Sequence, residues 1–106
     1  SDFSGGEYYF NIGNFKNCGD KGISIGEKSI VKINQAEIIN SNIGIASKDS
    51  SKVIVDTANI INTNECLSAY NKKQEFSGSY LRIKKENCQN FNKKISYDDF
   101  SEIEIN

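Results

Sequence analysis

Acidic and lysine side chains recur in this chain at one spacing of about 22 residues. Glu27, Asp49 and Asn71 form one such series, Lys28, Ser50 and Lys72 a second, and Gly26, Lys48 and Tyr70 a third. In a chain that coils with that period, the members of a series stand above one another. Glu27 and Asp49 then lie about 5 Å apart, one strand spacing. Two carboxylates at that distance can share a hard cation such as Ca²⁺. Lys48 or Lys72 beside them can act as a base once desolvated. The plainer reading is a solvated turn face, with opposite charges alternating so that like charges do not stack. Binding of a sugar or an ion lies between the two. We therefore take Glu27, Lys28, Lys48, Asp49, Tyr70, Asn71 and Lys72 as a ligand-binding candidate, with no catalytic residue, resident metal or cofactor assigned.

The rest of the chain offers less chemistry. It contains no His, so a Ser or Cys nucleophile lacks its usual base. Asp98-Asp99 is the only acidic Asp doublet, and neighbouring strand residues point to opposite faces. Arg82 is the only Arg, which rules out an Arg clamp. Tyr70, Tyr80 and Tyr97 can stack on sugar rings or pack a cap. Cys18, Cys66 and Cys88 show no CxxC spacing and read as small buried hydrophobes. A single disulfide between neighbouring coils is the other reading. Cys66 and Cys88 are one period apart, but an insertion between them would spoil their stacking.

The elements that must hold these residues follow from the repeat. Gly22–Ile43 aligns without a gap on Gly44–Glu65, and a third copy opens at Cys66-Leu67-Ser68-Ala69. Ile23, Ser29, Val31, Ala36, Ile38-Ile39-Asn40 and Asn42 fall on Ile45, Ser51, Val53, Ala58, Ile60-Ile61-Asn62 and Asn64. Apolar residues alternate in short bursts, such as Val31/Ile33 and Val53/Val55, each closed by a polar turn. That pattern predicts short strands with one buried face. No helix fits between the turns. Three short strands and three turns per repeat predict an all-β, right-handed parallel β-helix (solenoid) of about four rungs with an irregular C-terminal cap. Residues 1–18 form an irregular first rung, 19–69 the regular rungs, and 70–106 an irregular rung plus cap. Ile95 follows Leu67 by about 28 residues, which places an insertion after Ala69. Asn40 over Asn62 predicts an amide ladder at an inner turn. The C-terminal aromatics are expected to pack the cap. The N-terminal edge, with Tyr8, Tyr9 and Phe10, is expected to meet a preceding rung or another subunit.

Composition narrows the function classes. The chain has 106 residues, a formal net charge of −1 and no Met. A single domain is expected, read as a piece of a longer or processed protein. Interspersed charges argue against nucleic acid as the main partner. No apolar run suits a membrane-spanning helix.

Residues 20–29 (DKGISIGEKS) and 43–51 (IGIASKDSS) resemble right-handed β-helix repeat proteins of the pectin-lyase-like superfamily. They look especially like the C-terminal rungs of large bacterial surface or secreted proteins, some linked to spore-coat-type kinase-like domains. The resemblance covers roughly residues 15–90 and speaks to fold more than to function. It implies an extracellular or cell- or virion-surface location. It also implies a structural or adhesive module that binds carbohydrate. The alternatives it implies are a polysaccharide lyase or epimerase and a fibre or tailspike segment. In lyases of this fold, acids hold Ca²⁺ on the substrate carboxylate while Lys or Arg removes the α-proton. The expected partners are a polysaccharide and neighbouring rungs or subunits, with neither nucleic acid nor membrane insertion.

Overall fold

A strand of 47 residues would be about 155 Å long at the usual rise. β1 (Asp2–Lys48) has that length in sequence, yet the whole molecule measures 34 × 27 × 27 Å. The strand must therefore bend back on itself repeatedly. It is followed by β2 (Lys52–Tyr70), β3 (Tyr80–Tyr97) and β4 (Glu102–Ile105). The computed structural model describes every residue except Ser1 and Gln74, and every side chain except theirs and those of Asp2, Ile12, Asn17 and Cys18. The expectation that Cys18 is buried concerns one of these and lies outside the described side chains.

The architecture is all-β, a curled parallel sheet in the order β1-β2-β3-β4. Val31 stands opposite Val53, Val53 opposite Leu81, and Leu81 opposite Ile103. Side-chain bonds such as Asn34 Nδ2 to Asn11 Oδ1 (2.9 Å) show the first half of β1 lying beside its second half. Each set of laterally aligned residues is called a layer below. The polar turns at 26–29, 40–42 and 62–64 sit inside long ladders, whereas the one at Asp49-Ser50 separates β1 from β2 as expected. They bend the chain through positive φ, at Glu27 (54°), Lys28 (63°), Asp49 (54°), Ser50 (66°) and the triplet Asn40, Asn62 and Asn90.

Stacking fills the interior with like side chains. Ile23, Ile45 and Leu67 are buried in one series, and Val31, Val53 and Leu81 in another. Burying each such side chain contributes about 1.5–3 kcal/mol. A serine series runs along one corner. Ser29 and Ser51 donate to the carbonyls of Gly26 (2.6 Å) and Ile25 (3.2 Å). The Ser79 hydroxyl donates to the Tyr70 carbonyl (3.2 Å), and the Ser79 amide donates to Ser101 Oγ (2.9 Å). These hydroxyls satisfy backbone groups that the bend takes out of the ladder. The Asn ladder forms as the spacing predicts: Asn62 donates to Asn40 (3.0 Å) and Asn90 to Asn62 (2.6 Å). All three are exposed, so the ladder lies outside the sheet. Asn adopts the left-handed region at little cost, which explains its choice there.

Two expectations need correction. The C-terminal aromatics pack only in part: Tyr70, Phe76 and Tyr80 are half-buried, but Phe91, Tyr97 and Phe100 are exposed. It is Phe3, Tyr8, Phe10 and Phe15, at the other end, that pack against the core. The second concerns the cysteines. Cys66 and Cys88 are bonded to each other, but not because they stack. Between β2 and β3 the register steps by 28 residues, so Cys88 stands beside Ile60. Cys66 follows Gly44 in the series that faces Ile60. A Cβ on Gly44 would meet Ile60 Cγ2 at 2.8 Å, and one on Gly22 would meet Ile38 Cγ2 at 2.6 Å. Glycine is thus required wherever Ile fills the space opposite. In the third layer a Cys–Cys bridge replaces this Gly–Ile contact and closes the same gap covalently.

The bridge encloses residues 67–87, including the irregular segment after β2. Loop closure of that length gives about 3 kcal/mol in the chain-entropy model. Replacing both cysteines by serine should lower the unfolding free energy by about that amount in denaturant titration. The double variant Cys66→Gly/Cys88→Ile restores the contact of the preceding layers and should lose clearly less. Equal losses would mean that the bridge is not a continuation of that contact.

Candidate functional site

The serine corner sets the site. Just before Ser29 and Ser51, two consecutive residues take positive φ, Glu27-Lys28 and Asp49-Ser50, as Gly5-Gly6 do one layer earlier. Two positive φ values in succession are what a type I′ turn requires. Outside glycine the conformation costs roughly 1–2 kcal/mol per residue, so the stacked layers must hold it. Lys28 N donates to the Asp49 carbonyl (3.0 Å), and Asp49 N to the Tyr70 carbonyl (3.1 Å).

In the third layer the turn is longer. Lys48 aligns with Tyr70, but Lys52 aligns with Tyr80. The extra residues loop outward before Ser77 rejoins Ser50 through its carbonyl (2.9 Å from Ser50 N) and its amide (2.7 Å to Ser50 Oγ). This bulge forms one wall of a cleft of about 530 Å³. The wall carries Lys72 and Lys73, the floor Gly26, Glu27, Lys48 and Asp49, and the far side Phe3, Ser4, Asp20 and Lys21.

The charges of the cleft are unevenly matched. Glu27 accepts from Lys73 Nζ and, through Oε2, from Ser4 Oγ (2.7 Å). The Lys73 ammonium, with the Ser4 hydroxyl, holds the Glu27 carboxyl below its ordinary value, and Glu27 in turn raises Lys73. Asp20 accepts from Lys21 Nζ (2.6 Å) and from Asn42 Nδ2 (3.2 Å), and its carboxyl is lowered mainly by the lysine. Asp49 is only 1% exposed. Its Oδ1 accepts from the amides of Lys72 (2.7 Å) and Lys73 (2.8 Å), which pins the bulge to the corner. Its Oδ2 is buried without a partner among the described residues. Lys48 lays its stem over Gly26, where a Cβ would meet Lys48 Cε at 3.0 Å. Neither Lys48 nor Lys72 has an ion-pair partner among the described residues.

Of the seven expected site residues, Glu27, Lys48, Asp49 and Lys72 meet in this cleft. The other three lie elsewhere. Lys28 points its ammonium over the Phe76 ring, 5.9 Å from the centroid. Tyr70 is half-buried, and burial pushes its hydroxyl pKa up. Asn71 donates its amide to Asp98 Oδ2 (2.7 Å). Asp98 also accepts from the Phe100 amide (3.2 Å), so the doublet's first carboxylate caps a turn. Sequence reasoning missed Phe3, Ser4, Asp20, Lys21 and Lys73. Ser4 lies about one period before Glu27 and was detectable by extending the repeat backward. Asp20 and Lys21 are no multiple of the period from Lys48, and Lys73 belongs to the bulge.

Glu27 and Asp49 are not the pair of free carboxylates drawn from spacing. Glu27 is engaged by Lys73 and Ser4, and one Asp49 oxygen by two amides. No group of three His, Cys, Asp or Glu side chains is placed to hold a metal ion among the described residues. Comparison with known proteins finds no matching family model, no matching curated protein and no matching solved structure.

Two outcomes follow. In the native chain Glu27 should titrate below the ordinary carboxylate range, followed by carboxyl-carbon NMR. Because its folded pKa is depressed, the ion pair is intact above that range and is lost as pH falls through the lowered value. Lys73→Ala should return Glu27 toward the ordinary value. Asp49→Ala leaves two amides without their acceptor and should cost about 2 kcal/mol, with faster hydrogen exchange at Lys72 and Lys73. Unchanged exchange there would show that Asp49 does not anchor the bulge.

Proposed function

We propose that this chain is a right-handed parallel β-helix module of about four rungs with a structural or adhesive role at a cell or virion surface. In this reading it binds carbohydrate in the cleft at its serine corner. The parallel pairing of successive layers, the recurring bends and the like-over-like interior support the solenoid. Nearly all parallel crossovers are right-handed, which supports the hand. The Cys66–Cys88 bridge supports an oxidising compartment, where disulfides persist.

The observation that carries the binding role is the composition of the cleft. Its volume lies in the range typical of small-ligand sites. It offers fixed acceptors at Glu27 and Asp20 and two ammonium groups, Lys48 and Lys72, with donors left to give. Paired donors and acceptors on a rigid wall suit vicinal hydroxyls, which both donate and accept. Structural strength comes from the stacked interior, and the cleft adds a grip without altering it.

Affinity electrophoresis in gels containing neutral and acidic polysaccharides tests the proposal. At least one polymer should retard the native chain, and Lys48→Ala should weaken retardation several-fold while leaving the circular dichroism spectrum unchanged. The polymer should keep its length. Shortening with new ultraviolet absorbance from unsaturated ends would move the assignment to a lyase. No retardation by any polymer would overturn the binding role.

A further inference from the structure

The outer face of the sheet carries a second cluster of charges, away from the cleft. In the segments that bury Val31, Val53 and Leu81, the alternate residues point outward. Lys32, Ile54 and Arg82 align across three layers, and Ile30, Lys52 and Tyr80 align beside them. Two depressions of about 330 and 370 Å³ lie on this face, and both are lined by Ile54 and Arg82. Neither shares a lining residue with the cleft at the serine corner. Half-buried Ile54 is the centre of the cluster. Lys32 and Arg82 flank it along the sheet, each about 4.8 Å away at the backbone, and Lys52 stands two residues before it on the same face.

These three cations lack acceptors. Arg82 makes no ion pair among the described residues, and its Nε is buried without a hydrogen-bond partner. A desolvated charged donor left without an acceptor is costly. Lys32 and Lys52 form no ion pair among the described residues either, and the Lys52 ammonium lies 5.9 Å from the centroid of the Tyr80 ring. The acids of the face are engaged elsewhere or stand to one side. Asp56 pairs with Lys84 (3.6 Å). Glu104 is beside Arg82 in the ladder, yet it accepts from the Tyr80 hydroxyl (2.9 Å) and, by a hydrogen bond between the two carboxyls, raises the pKa of Glu102. Glu7 meets Lys32 in a separate depression with Tyr9 and Ile30, without an ion pair between them.

We propose that Lys32, Lys52 and Arg82 form a second binding site, for a sulfate or phosphate ester seated over Ile54. Such an ester presents three terminal oxygens, one toward each cation. A carboxylate presents two and would leave one of the three cations without an acceptor. The guanidinium of Arg82 supplies a planar fork that fits an oxyanion, and the two ammonium groups reach it on flexible stems from the neighbouring layers. An oxyanion there also gives the buried Nε of Arg82 the acceptor it lacks. Ile54 and the half-buried Tyr80 ring provide an apolar floor on which the body carrying the ester can lie. The site is independent of the carbohydrate-binding reading of the cleft, because the two have no residue in common.

Amide NMR on the whole, unaltered chain titrated with dextran sulfate tests this. Signals from residues 30–34, 52–56 and 80–84 should move, and those of residues 48–49 and 72–73 in the cleft should stay. Unmodified dextran should move none of the outer-face signals. Inorganic phosphate moving the same signals with equal affinity would assign the site to the free anion, whereas movement with dextran sulfate alone assigns it to ester groups on a chain. Arg82→Gln should weaken dextran sulfate binding about tenfold or more, and Lys93→Gln, on another face, less than about twofold. The double variant Lys32→Gln/Lys52→Gln gives the same test without touching the arginine. Lys48→Ala should leave this binding unchanged, so the site and the cleft stand or fall separately. Equal binding of polyglutamate, which carries carboxylates alone, would overturn the proposal in favour of an acidic peptide. So would an equal loss in the Lys93 variant, or no movement of the outer-face signals.

Discussion

The constraint on which this molecule depends is lateral register. A parallel ladder bonds each strand only to the layers beside it, so every side chain must suit the same position one layer away. Ile meets Ile or Leu, Val meets Val, and Ser meets Ser. A slip of one residue would exchange the buried and exposed faces of a whole layer. The serine corner shows the same demand on the backbone. Where the chain bends, carbonyls leave the ladder, and a hydroxyl in each layer answers them. The exposed Asn series does equivalent work at another bend, with a residue that tolerates positive φ and bonds to its own kind.

The cleft arises where this regularity is interrupted. β2 and β3 keep their pairing although the turn between them is longer than its counterpart one layer before. The surplus has nowhere to go except outward. Buried Asp49 fastens it through two amide bonds, and the disulfide closes the segment from the inside. Two lysines thereby stand over a floor of stacked acid and lysine. The strained Glu27-Lys28 and Asp49-Ser50 bends lie at this same corner. A rigid scaffold carrying one irregular, polar segment is a common way for a repeat architecture to gain a binding surface, since insertions map to one face.

The sequence by itself determined whatever follows from periodicity. The gapless match of 22–43 with 44–65 settled the parallel all-β class, the buried Ile and Val series, the Asn ladder and the position of the insertion. Periodicity also brought Glu27, Lys48, Asp49 and Lys72 together, because side chains one period apart are lateral neighbours in any such coil. The tertiary structure decided the contacts that cross between series. Cys66 and Cys88 are one period apart in sequence, and the reason they bond is that an insertion shifted Cys88 beside Ile60, opposite the Gly44 series. Asp20 and Lys21 reach the cleft by the curvature of the sheet, and Lys73 by the path of the bulge. Asp49, drawn from spacing as a ligand, spends one oxygen on backbone amides that no alignment could have placed near it. Spacing reports which residues stack; only the folded path of the chain reports what each stack faces.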